Sequence, residues 1–62
     1  MTAKQMAVHM MRCKALRDVV ERLTGKPYAE LTFEQRGAMA VVLAAADDAG
    51  GLKVIMGDKY PF

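Results

Sequence analysis

Residues 37 to 46 read Gly-Ala-Met-Ala-Val-Val-Leu-Ala-Ala-Ala, ten positions without one polar side chain. Glu34, Gln35 and Arg36 stand before the run, and Asp47 and Asp48 close it. At about 3.6 residues per turn it makes nearly three turns of a helix that is apolar on every side. Such a helix has to be covered all round, and a chain of 62 residues has little left to do the covering. The run therefore predicts association, with other copies of the chain or a partner supplying the missing wall.

The length allows one domain, residues 1–62, near the size at which a single core is marginal without disulfides, metal or oligomerisation. Cys13 is the one cysteine, so no internal disulfide can form, and a reducing compartment is the natural setting. Nine Lys and Arg against seven Asp and Glu leave a net charge of +2, well short of a dense cationic patch for nucleic acid. Lys4, His9 and Arg12 interrupt the apolar residues near the start, so the uninterrupted segment of a secretion signal is missing. The run at 37–46 falls far below the ~20 residues of a membrane span. These features lead us to expect a soluble, cytoplasmic protein with no membrane contact.

The punctuation predicts two helices and a tail. Thr2 with Gln5 has the spacing of a capping box, opening a first helix over about 3–24. Gly25 suits the left-handed position after its last turn, and Pro27 blocks continuation. Residues 25–31 form a connector, and Thr32 with Gln35 repeats the capping box to open a second helix over about 33–49. Two helices joined by a short loop fold back as an antiparallel hairpin. The remainder, 50–62, carries Val54 and Ile55 and a Gly57-Asp58 turn, which suggests an extended or β-like arm lying on the helices or on another copy. The expected architecture is all-α: two such hairpins paired as a homodimeric four-helix bundle. Val8, Leu16, Val20 and Leu23 of the first helix and Met39, Val41, Val42 and Ala45 of the second make its expected dimer core.

The first helix is amphipathic with anomalies. At about 100° per residue, Val8, Cys13, Leu16, Val19, Val20 and Leu23 gather on one side, and Lys4, Lys14, Asp18, Glu21 and Arg22 on the other. His9 and Arg12 fall inside the apolar arc, and Met10 and Met11 inside the polar one. In an antiparallel hairpin His9 lies level with Asp47, and Arg12 within a turn of Asp48. Inward charges are normally paired, so an ion-paired cluster closing the open end of the hairpin is expected. The alternative is a groove in which His9 and Arg12 grip a partner's carboxylate or phosphate. Met6, Met10 and Met11 supply adaptable apolar surface on the outward side, covered by the tail or used for binding. Met6, His9, Met10, Met11 and Arg12 are therefore the candidate partner-binding residues.

The chemistry-bearing signals are weaker. His9 and Cys13, four apart, could contribute half of a two-fold zinc site, but one His and one Cys make a poor case for metal, and none is expected. A Cys–His nucleophilic pair would also require a third orienting group and an oxyanion site beside it, and no Gly-rich turn offers one. The chain is expected to be no enzyme and to need no cofactor. Lys4, Lys14, Arg17 and Arg22 form an outward basic face that could bind nucleic acid, although Asp18 and Glu21 interrupt it and no aromatic stands ready to stack on a base. The sequence thus points to a small interaction module or regulator, of the type common among phage and mobile elements by size alone, that binds, blocks or adapts a larger host protein as a homodimer. A helical nucleic-acid-binding regulator is the alternative.

Overall fold

The computed structural model describes all 62 residues, and every regular element is helical. In chain order these are α1 (Ala3–Arg12), α2 (Lys14–Thr24), a 3-10 turn at Tyr28–Glu30, α3 (Phe33–Asp48), α4 (Gly51–Met56) and a second 3-10 turn at Gly57–Lys59. The helix starts follow the sequence closely. Both capping boxes are complete, with the Gln5 and Gln35 amides donating to the Thr2 and Thr32 hydroxyls at 3.1 Å. Gly25 closes α2 in the left-handed conformation, at φ 71°.

The expected first helix is two helices. Cys13 takes extended angles, φ −120° and ψ 110°, and breaks the chain between α1 and α2 without a Gly or Pro. The reason lies in the phase of the apolar residues. In one continuous helix Met6 and Met10 would point roughly 100° away from the mean direction of Leu16, Val19 and Val20. All five are buried in one core, so the backbone has to turn between the two sets. Breaking a helix orphans the last carbonyls of its first half. The Arg17 guanidinium answers two of them, donating from Nη1 to the Met10 carbonyl at 3.1 Å and to the Met11 carbonyl at 2.8 Å.

The break overturns several expectations. Met6 and Met10, read as outward surface, are completely buried. The register also differs: α1 runs antiparallel to α3 with the Met1 amine at Asp48 (3.1 Å) and with Met10 and Gly37 lining one cleft, well short of the level expected for an unbroken hairpin. Leu16 and Val20 are enclosed by the chain itself and not by a second copy. In α3, Ala40, Leu43 and Ala44 face inward within about 100° of arc, and the small alanines let α1 approach closely.

The tail is also corrected, from an extended arm to a helix. Gly50, at φ 82°, reverses the chain after α3, and α4 places Leu52 and Met56 one turn apart over the end of the core. Burying that i, i+4 pair outweighs the β-branched character of Val54 and Ile55, which are left exposed. The last residues return across the molecule, with Tyr60 donating its hydroxyl to Asp47 and Phe62 meeting the His9 ring edge to face at 4.8 Å. No helix is long and apolar enough to cross a membrane.

Candidate interaction surface

The unusual surface of this molecule is the side of α3 turned away from the core. Ala38, Val41, Val42, Ala45 and Ala49 are all exposed, with Val41 at 57% and Val42 at 51% of full accessibility. Between Arg36 and Asp47 this face carries no polar side chain. The chain covers one side of its most apolar helix and leaves Val41, Val42 and Ala45 on the other side exposed. Val8 and Leu23 are likewise exposed, and Met39 is half-buried.

Beside this face lies an apolar cleft between α1 and α3, with a volume of about 140 Å³. Ala7, Met10 and Met11 form one wall, and Tyr28, Phe33, Arg36 and Gly37 the other. Met11, at 62% exposure, stands at its edge, as does Phe33, at 90% the most exposed large apolar side chain in the chain. Arg36 is the one charged lining residue. Its guanidinium lies 4.6 Å above the Tyr28 ring and donates through Nη2 to the Tyr28 carbonyl at 3.2 Å, while the buried Nε donates to nothing in the chain. The Tyr28 amide in turn donates to Glu21 at 2.6 Å, which fixes the connector against α2.

The inward ion-paired cluster expected around His9 and Arg12 does not form. Both side chains are exposed, because the turn at Cys13 rotates the N-terminal half outward relative to α2. Asp48 pairs with the Met1 amine, and Asp47 accepts from Tyr60. That hydrogen bond, with some desolvation and the carboxylate's own charge, holds the Tyr60 phenol above its ordinary pKa. Of the candidate partner-binding residues, Met11, His9 and Arg12 reach the surface; Met11 stands at the cleft, whose wall the buried Met10 helps to form, and Met6 is buried. Phe33 and Arg36 are members of that surface which reading the sequence missed. A large apolar residue at the first position of a helix, directly after its N-cap, was the available signal.

The basic face is partly spent inside the chain. Arg17 holds the end of α1, and Lys14 pairs with Asp18 at 3.2 Å, leaving Lys4 and Arg22 free. Arg22 lines a second, more open cleft between α2 and α4 together with Asp18 and Lys59. No group of three or more His, Cys, Asp or Glu side chains is placed to hold a metal ion. Cys13 is half-buried against the core. Neither a family model, nor a curated protein, nor a solved structure matches this chain.

Proposed function

We propose that this protein is a small non-catalytic interaction module that works as a homodimer and binds a larger protein. The observation that carries the reading is the bare outward face of α3, Ala38, Val41, Val42 and Ala45, on a helix whose opposite face is already in the core. Contiguous exposed apolar surface on a small chain marks a place where another chain docks. Its physical origin is the unbroken apolar run, which exceeds what α1, α2 and α4 can cover.

Sedimentation of the full chain at micromolar concentration tests the first half of this reading. A dimer is expected, and a folded monomer of 6.8 kDa would refute it. Affinity capture from the source cell tests the second half, comparing the wild type with the surface variant Lys4→Glu/Arg12→Glu, whose altered side chains are exposed and lie outside the α1–α3 cleft. A companion protein retained by the first and lost by the second is expected. Identical captured sets would refute the partner-binding role.

A further inference from the structure

Phe33 and the cleft beside it are a knob and a hole on one surface. We infer that two copies associate about a two-fold axis with Phe33 of each chain seated in the α1–α3 cleft of the other. This docking rests on the homodimer reading and specifies which edge of α3 performs it.

Four observations converge on it. The first is size: the cleft holds about 140 Å³, and an apolar cavity of about 150 Å³ accepts one benzene ring. The second is exposure. Phe33 stands on the rim of its own cleft at 90% accessibility, so it cannot fill the hole it borders. The third is symmetry: a two-fold interface must be self-complementary, and here the knob and the hole belong to the same patch.

The fourth is Gly37, one turn after Phe33 on the same edge of α3. A glycine inside a helix weakens it, and its normal justification is the close approach of another backbone or side chain. Nothing in the chain lies within 4 Å of where a Cβ at 37 would stand. The open space at that position borders the cleft, in the path of an incoming ring. Charge agrees with the geometry. Arg36 is the single charged lining residue, and Glu34 stands exposed in the first turn of α3, about 100° round the helix from Phe33. Docking of that turn brings a carboxylate to the mouth of a cleft that holds one guanidinium. The guanidinium wall also suits an aromatic face.

The test is sedimentation equilibrium on the full chain, with helicity and melting followed on the same samples. Phe33→Ala and Gly37→Leu should each raise the dimer dissociation constant at least tenfold. A Cβ at 37 meets open space in the single chain and relieves the cost of a glycine inside a helix, so Gly37→Leu should leave helicity and melting at high dilution unchanged or raised. Val54→Arg, exposed on α4, should change the constant by less than threefold. A dimer undisturbed by Phe33→Ala and Gly37→Leu but dissociated by Ala45→Arg would overturn this docking and leave the homodimer standing. A wild-type chain that sediments as a folded monomer would remove both.

Discussion

The first half of the chain and α3 present the same problem with different outcomes. Residues 3–24 and residues 33–48 both carry a capping box at the start, contain no proline and hold enough apolar residues for one long helix. Yet α3 runs unbroken for 16 residues, and the first segment divides at Cys13 into helices of 10 and 11. The difference lies in phase. The buried residues of α3, Ala40, Leu43 and Ala44, share one direction, so continuity costs nothing. Those of the first segment, Met6 and Met10 against Leu16, Val19 and Val20, do not, and no straight helix can bury both sets in one core. A helix persists while its apolar residues agree, and breaks where they cease to, provided the freed carbonyls find donors.

The comparison breaks first at Met10. If the two phases meet in one core, Met10→Ala should destabilise the chain by about 2–5 kcal/mol, the range for a buried Met truncated to Ala. Chemical denaturation reads it directly, and a loss under about 1 kcal/mol would return Met10 to the surface.

Arg17 is the next largest. Its guanidinium serves two carbonyls that the break would otherwise leave unpaired, so Arg17→Ala should cost about 1–3 kcal/mol. The hydrogen-exchange protection of α1's last turn should fall with it. Were Arg17 only an outward cation, its removal would leave both unchanged.

Arg12 sharpens the contrast, because an unbroken helix would have turned it inward. The side chain is exposed and makes no hydrogen bond or ion pair in the chain, so Arg12→Ala should shift stability by no more than about 0.5 kcal/mol. A drop of several kcal/mol would instead reinstate the buried pair with Asp48.

The smallest effect is a pH dependence at the C-terminal segment. Tyr60 has a raised pKa in the folded chain, so the folded state binds its proton more tightly than the unfolded state. That contribution is complete below the unfolded phenol value of 10.0 and is lost as pH climbs through the higher folded value. In a Tyr28→Phe background the single remaining phenol should ionise, by ultraviolet absorbance, above 10.0. Adding Asp47→Asn should lower that midpoint. An unmoved midpoint would mean that the Tyr60–Asp47 bond does not hold the tail.

The local signals in the sequence carried a long way. Thr2/Gln5, Thr32/Gln35, Gly25 and Pro27 determined where α1 and α3 begin and where α2 ends, because capping and left-handed turns are decided by neighbours a few residues away. The apolar run determined that α3 would be continuous and would present more apolar surface than one side needs. The anomalies of the first segment, Met10 and Met11 in the polar arc with His9 and Arg12 in the apolar one, were visible as well. They marked a change of phase, which periodicity over a single long window reads as disorder in the pattern.

Only the tertiary structure decided the break at Cys13, the burial of Met6 and Met10, the helical form of residues 51–56 and the cleft that Phe33 borders. Each depends on which apolar residues meet across the core. Cys13 has no intrinsic tendency to stop a helix, and Val54 and Ile55 have none to continue one. The core requires Met10 and Leu16 to face the same interior, and Leu52 and Met56 to close its end. Burial summed over distant contacts outweighs local propensity there, and a sum over contacts cannot be read from the order of residues along the chain.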